Sequence, residues 1–158
     1  MKRDWISIGR DYTVKDEAGY VAFRVDGHVL CIGDKMTIED GEGNALALVT
    51  QKLLAWGPTY EVWRGDDCVA VVKKSVFTLF RCEFTIDVPG PDDIVAEGDF
   101  FEHEYEFRRG GDLAAHVSKR YFSISDAYGI DVAPGIDPLL IVAGAVVIDL
   151  CCHTHQKE

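Results

Sequence analysis

The sequence ends in a group of side chains that zinc favours, Cys-Cys-His-Thr-His at residues 151–155. If a preceding helix continued through them, Cys151 and His155 would lie four residues apart on one face, a workable pair of Zn²⁺ ligands. The chain has no CxxC motif, and no second Cys/His pair lies nearby. We therefore predict no metal here, and interpret the group as the end of a helix that emerges into solvent.

A second group with possible chemistry lies at residues 97–106, where carboxylates surround His103. Such a group could hold a cation or perform acid–base catalysis. In a strand, however, alternate residues share a face, so Glu102, Glu104 and Glu106 would point together. His103 and Tyr105 would then point the other way. This alternation is typical of a solvated face opposite a buried one, so we predict neither a metal site nor a catalytic role.

Basic residues recur near the ends of predicted strands, and they are the candidates for binding an anion. Ammonium and guanidinium groups bind phosphate and carboxylate oxygens through charge-assisted hydrogen bonds. Lys52 and the pair Arg108–Arg109 add to the predicted set. The alternative is that these charges protect strand edges from aggregation and maintain solubility. The predicted ligand-binding residues are Lys73, Lys74, Arg81, Lys119 and Arg120.

Motifs of the common catalytic classes are missing from the sequence. There is no G-x-S-x-G, no HExxH and no Walker-type loop. We therefore predict a protein that is not an enzyme and uses no cofactor. The formal net charge of −11 disfavours nucleic acid as a partner, because binding phosphates needs clustered Lys and Arg. It also disfavours broad adhesion to anionic lipid, although a local basic patch can still bind.

The five cysteines and the N-terminus indicate a cytoplasmic protein, with peripheral membrane association if its ligand is a lipid. The cysteine number is odd. Cys31, Cys68 and Cys82 have apolar neighbours in sequence, as small buried thiols do. Free thiols are typical of a reducing compartment. The opening residues MKRDWISIG lack the apolar stretch of a signal peptide.

Most of the chain is predicted to form short strands of a single domain, residues 1–158. The segments rich in β-branched and aromatic residues are separated by turn residues such as the Asp-Gly of residues 26–27 and the Asp-Gly-Glu-Gly-Asn of residues 40–44. We count about eleven to twelve strands, spaced as in an antiparallel barrel or sandwich. The clearest predicted strands cover residues 20–25, 44–50, 60–63, 68–72 and 80–88.

An internal repeat indicates approximate symmetry. Residues 60–78 and 105–123 are identical at nine of nineteen positions, at an offset of 45 residues. The likeness continues downstream, and a fainter pair links residues 14–19 with residues 38–43. The unit is a strand, a Gly/Asp turn and a second strand ending in A-x-V-x-K. Because Lys74 and Lys119 are equivalent in the repeat, they are expected at symmetry-related points rather than in one patch.

One strong helix is predicted at the C-terminus. Asp137 is a good N-cap, and Pro138 suits the first helical position. The apolar residues from Leu139 to Ile148 cover every side of the helix, so it must be buried all round or lie in lipid. From Leu139 to Cys152 it would extend about 21 Å. A bilayer needs roughly twenty residues, so we predict a plug inside a barrel and no transmembrane span.

Five stretches together resemble the LURP-one-related family: TQKLLAWGPTYEVW, AVVKKSVFTLFRCEFTIDVPGPDDI, EGDFFEHEYEF, VSKRYFSISDAYGIDV and LLIVAGAVVIDLCCH. That family is similar in fold to the C-terminal domain of Tubby and to phospholipid scramblases. The resemblance implies a mainly β fold, a twelve-stranded antiparallel tubby-like β-barrel that encloses a central hydrophobic C-terminal helix.

For function, the resemblance leaves three alternatives. The first is a non-enzymatic binding or scaffold module, with an anionic phospholipid or phosphoinositide head group as ligand. The second is a protein-interaction module without a small-molecule ligand, for which Trp56, Trp63 and Phe101 are candidate contacts. The third is a scramblase-like membrane-associated protein. No motif in this sequence matches the lipid-binding residues of Tubby.

Overall fold

We describe the computed structural model of the chain over residues 2–8, 11–29, 34–52, 57–76, 82–119 and 127–153. Cys31, Trp56, Arg81, Arg120 and His155 lie outside these residues, so their predicted roles are not addressed. The described chain forms β1 (Lys2–Ile8), β2 (Asp11–Lys15), β3 (Val21–Val29), β4 (Asp34–Asp40), β5 (Ala45–Gln51), β6 (Thr59–Arg64), β7 (Asp67–Val76), β8 (Cys82–Asp87), β9 (Ile94–Asp99), β10 (Glu104–Arg109), β11 (Asp112–Ser118), β12 (Ala127–Val132) and α1 (Pro138–His153).

The strands form one antiparallel barrel in chain order. Each strand pairs with the next one along the chain, and β1 also pairs with β12, which closes the barrel. The predicted barrel around a C-terminal helix is therefore confirmed. Because the connections alternate between the two ends, α1 begins at one end and finishes at the other. The end at which α1 begins is called the proximal end, and the opposite end is called the distal end. The proximal end has the turns at residues 16–20, 41–44, 65–66, 88–93, 110–111 and 133–137.

The internal repeat corresponds to two equivalent hairpins, β6–β7 and β10–β11. Both hairpins shift register at the same repeat position, between Val62 and Trp63 in one and between Phe107 and Arg108 in the other. A bulge of this kind bends a strand and increases its twist, which helps a sheet to close. The repeat therefore encodes one curved unit used twice, four strands apart around the barrel.

The turns of the fainter sequence pair also have a common structure. Asp16 Oδ1 accepts the backbone N–H groups of Ala18 and Tyr20, at 2.9 and 3.0 Å. Asp40 Oδ1 accepts those of Glu42 and Asn44, both at 2.9 Å. Hydrogen bonds from Asn44, through its side chain first, lower the pKa of Asp40. An aspartate before a glycine turn thus fixes two hairpins at the proximal end.

Helix α1 forms the core of the barrel, as its all-round apolar sequence predicts. Residues 141–148 are all buried, and the inward side chains of the strands surround them. Asp137 caps the helix, because its Oδ1 accepts the N–H of Leu139 at 3.0 Å and its Oδ2 accepts a hydrogen bond from Arg64 at 2.6 Å. In the part of the chain described, no helix has the length and apolarity needed to cross a membrane.

Three details differ from the sequence-based expectations. The predicted Asp-Gly turn at residues 26–27 is wrong, because these residues lie within β3 and pair with β4. Cys68 is exposed rather than buried, because it lies directly after the β6–β7 turn, where the register shift pairs it with Trp63. Glu102 and His103 belong to the turn between β9 and β10, so the predicted alternation begins only at Glu104. From there it holds, since Tyr105 and Phe107 are buried.

Candidate functional site

The predicted basic residues in β7 lie near the distal end, and the structure places them on opposite faces. Lys73 points outward and is exposed. It pairs in register with Thr59, which is buried, and with Thr85. Lys74 pairs with the inward residue Phe84, and its Nζ lies 5.9 Å from the centroid of that ring. The two adjacent lysines therefore lie on different faces of β7, with Lys73 on the outer face and Lys74 on the inner face near the distal end.

Lys52 joins Lys73 on the outer wall. The N–H of Lys52 donates to the carbonyl of Thr59 at 2.8 Å, and Thr59 pairs with Lys73 on its other side. Directly opposed residues of antiparallel strands share a face, so both lysines point outward. Two strand spacings of 4.8 Å put their backbones about 10 Å apart. We call Lys52, Thr59, Lys73 and Thr85 the lysine row.

The lysine row could hold an anion between its two ammonium groups. Both lysines are exposed, and their flexible side chains can converge on one phosphate group. Carboxylates lie in the adjacent outward rows, with Asp87 Oδ2 at 3.9 Å from Lys73 Nζ. Glu61 and Glu83 face the same way. Because exposed ion pairs of this kind contribute little, a multiply charged anion can displace them.

The remaining predicted basic residues do not join this row. Lys119 follows β11, which is four strands from β7, about 19 Å around the barrel wall. Its N–H donates to Glu104 Oε1 at 3.2 Å, next to the Ser118 hydroxyl at 2.7 Å. The repeat thus places Lys74 and Lys119 at symmetry-related points, as expected. Arg108 lies near the proximal end, paired with Glu106 at 2.7 Å.

Edge protection does not account for the lysine row. The described strands close into a barrel, so they leave no strand edge for Lys52 and Lys73 to protect. The sequence places Lys73 beside Lys74, and Lys52 is distant from both in the chain. The missing signal was register, because two lysines 21 residues apart share a row only once β5, β6 and β7 are paired.

A second polar group lies inside the distal end, around Asp149 of α1. The hydroxyl of Tyr12 donates to Asp149 Oδ2 at 2.5 Å. Burial, followed by the charge of Asp149, raises the pKa of Tyr105 well above its ordinary value. Burial acts likewise on Tyr128, with Tyr105 and Asp149 adding to the effect. Asp149, the one acid in the apolar helix, therefore lies near the tyrosines at the distal end and accepts a hydrogen bond from one of them, Tyr12.

The cysteines at the end of α1 are not arranged for reaction. Burial raises the pKa of Cys152 to about 12, with Lys74 opposing the shift. The thiolate is the nucleophile and the metal ligand, so this thiol is inert at neutral pH. Within the described residues, no group of three or more His, Cys, Asp or Glu side chains is placed to hold a metal ion.

Within the acidic stretch of residues 97–106, the side chain of His103 packs against an aromatic ring. Its ring stacks on Tyr128, with the centroids 4.3 Å apart and the planes 14° from parallel. Its φ of 52° is the only positive value for a non-glycine residue in the described chain. The nearby residues Glu97, Asp99 and Glu102 are exposed around the turn.

Comparison with known proteins identifies a family, a relative in sequence and a solved structure with a similar fold. A family model described as LURP-one-related matches residues 1–149. An uncharacterised Bacillus subtilis protein, YxjI, is 28% identical over 158 residues, which is 100% of this chain and 95% of that protein. A solved X-ray structure of an Arabidopsis thaliana protein, AT5G01750, superposes with a TM-score of 0.69 at 16% identity, covering 94% of this chain and 88% of that one. The structural likeness extends to the fold alone.

Proposed function

We propose that this chain, which belongs to the LURP-one-related family, is a non-enzymatic binding module for anionic head groups. The first candidate ligand is a phosphoinositide or another anionic phospholipid. The observation that carries the proposal is the lysine row, in which the exposed Lys52 and Lys73 lie on either side of the buried Thr59. Strand pairing already orders the backbones of both lysines, so the ligand has to order only their side chains.

The distribution of charge favours one part of the wall for contact with an anionic membrane. Acids occupy the proximal turns, and Glu97, Asp99 and Glu102 are exposed at the distal end beside β9, so an anionic surface is expected to meet the wall at β5–β7. With a net charge of −11, binding depends on this local attraction and falls as salt screens it. The proximal turns and their borders hold Asp16, Glu17, Asp40, Glu42, Asp66, Asp67, Asp92, Asp93, Asp112 and Asp137.

The Cys152 thiol gives no support for nucleophilic catalysis. The protonated Cys152 lacks the thiolate that nucleophilic catalysis requires. Cys68, Cys82, Cys151 and Cys152 are free thiols, which fits the cytoplasmic face of a membrane as the place of action.

Co-sedimentation with vesicles tests the proposal. Vesicles of phosphatidylcholine with a few per cent of a phosphoinositide are compared at low and high salt with vesicles of phosphatidylcholine alone. Wild-type protein is expected to sediment with the anionic vesicles at low salt only. Lys52→Glu/Lys73→Glu should reduce the bound fraction at least about tenfold, since each lysine near an anionic surface contributes about 1 kcal/mol.

Two controls separate the lysine row from net charge. Lys15→Glu/Arg24→Glu makes the same change in charge away from the distal end, and should bind nearly as well as wild type. Lys73→Gln should weaken binding more than Lys74→Gln, because the two side chains lie on opposite faces. The proposal would be refuted if the wild-type protein did not bind anionic vesicles at low salt, or if all variants lost the same fraction of bound protein.

A further inference from the structure

The turn between β9 and β10 presents an aromatic side chain to solvent at the distal end. Phe101 is 57% exposed. The neighbouring Phe100 is 3% exposed and points into the core. Two adjacent phenylalanines therefore have opposite environments, and burial of the exposed part of Phe101 in a complex would be favourable.

Contacts on both sides of Phe101 hold the backbone of the turn. Phe100 makes edge contacts with Phe84 and with Tyr105, at centroid distances of 5.0 and 5.1 Å. The N–H of Glu102 donates to Asp99 Oδ1 at 3.1 Å. On the far side, His103 stacks on Tyr128 in a left-handed backbone conformation that non-glycine residues seldom adopt. A side chain presented on an ordered turn loses little conformational entropy on binding, which favours recognition.

The charged residues on either side of Phe101 in the sequence carry charge of one sign. Glu97, Asp99 and Glu102 are exposed around the turn. The sequence contains no Lys or Arg between Arg81 and Arg108. The turn itself is therefore acidic around an apolar side chain, whereas the lysine row is cationic.

We propose that residues 97–102, the Phe101 turn, dock a protein partner with an apolar pocket bordered by Lys and Arg side chains. Phe101 fills the pocket, and the three carboxylates pair with the basic rim, as in interfaces with an aromatic centre and a charged border. Anionic membranes repel these carboxylates, and a second copy of the chain would bring together two proteins that each carry a net charge of −11. The surface is separate from the lysine row, so this inference goes beyond the proposed function.

Selection of phage-displayed random peptides on the immobilised full-length protein tests the inference. Enriched peptides are expected to combine Lys or Arg with aliphatic or aromatic residues. With a synthetic copy of one such peptide, Phe101→Ser should weaken binding at least about tenfold, as loss of a central aromatic contact does. Glu102→Lys should weaken it about threefold or more at low salt, and less at high salt.

The chain offers matched controls at the proximal end. Tyr20 is a second exposed aromatic residue, 74% exposed, and Glu42 is an exposed acid on another turn. Tyr20→Ser and Glu42→Lys should leave the peptide affinity within about twofold of wild type, because distant surface sites act independently. Thermal melts of all four variants show whether each one is folded.

Several results would overturn the inference. They are the enrichment of no peptide, peptides without basic residues, and equal binding by wild type and Phe101→Ser. A dimer in sedimentation that Phe101→Ser dissolves would identify a second copy as the occupant instead. Adsorption to phosphatidylcholine vesicles that depends on Phe101 would identify a membrane. Phe101→Ser should keep the binding to anionic vesicles, so the two proposals can fail separately.

Discussion

Gly144 of α1 offers a sharp test of how the helix fits the barrel. A Cβ atom built on Gly144 would lie 2.7 Å from Ile86 Cδ1 of β8 and 3.1 Å from Phe107 Cε1 of β10. The first distance is too short, so Gly144→Ala must push aside the end of the Ile86 side chain. Ile86→Val deletes the offending atom, and the pair of substitutions should therefore be coupled.

The magnitudes follow from opposing effects. Alanine favours the helix over glycine by about 1 kcal/mol. Overpacking the core costs about 1–3 kcal/mol, and the movable end of Ile86 keeps the cost near 2. Gly144→Ala should thus lower the free energy of unfolding by about 1 kcal/mol. Ile86→Val should lower it by about 1 kcal/mol through the space it leaves. In the double variant the new methyl group occupies that space, so the loss should be about 0–1 kcal/mol rather than about 2.

Urea denaturation of the four proteins measures this coupling as a double-mutant cycle. Gly144→Ala combined with Val14→Ala serves as the control, because Val14 is buried on β2 rather than beside Gly144. The control pair should be additive. Additivity within about 0.5 kcal/mol for Gly144→Ala and Ile86→Val as well would refute the packing described for α1.

Three further predictions concern the same core. Deletion of residues 139–152 should abolish cooperative unfolding and leave an insoluble chain, since it removes the centre of the barrel; a sharp urea transition would contradict this. Tyr12→Phe should lower the free energy of unfolding by about 1.5–3 kcal/mol, as expected for a hydrogen bond to a carboxylate, and less in an Asp149→Asn background; equal losses in both backgrounds would refute the interaction. Burial raises the pKa of Cys152 from 9.0 to about 12, and raises those of Tyr105 and Tyr128. The folded state therefore keeps protons that the unfolded chain releases above pH 9, so stability should fall as pH rises from there. A urea midpoint that does not change between pH 8 and pH 11 would contradict this account.

The helix was the most predictable element, because its signals are local. Asp137 and Pro138 mark its start, and an apolar sequence on every side demands a complete enclosure. The odd acid, Asp149, could be recognised as needing a partner. Its partner Tyr12 could not be predicted, because 137 residues separate the two and only the closure of the barrel brings β2 to the end of α1.

The candidate site was less predictable, because it depends on register and on turn geometry. The repeat identified equivalent positions for Lys74 and Lys119, but it carried no information on which lysine faces outward. His103 follows an apparent strand alternation in sequence, yet it adopts a left-handed conformation in a turn. The different environments of Phe100 and Phe101 follow from that turn, since their residue types are identical.

The central claim, that the lysine row binds anionic head groups, can be tested most directly by nuclear magnetic resonance. A ¹⁵N-labelled protein is titrated with a soluble inositol polyphosphate, the head group without its lipid. Saturable shifts are expected at Lys52, Gly57, Thr59, Lys73 and Thr85, and they should disappear in Lys52→Glu/Lys73→Glu. The amides of the proximal turns and of the Phe101 turn should not move. No saturable shifts, or shifts centred away from β5, β6 and β7, would contradict the account.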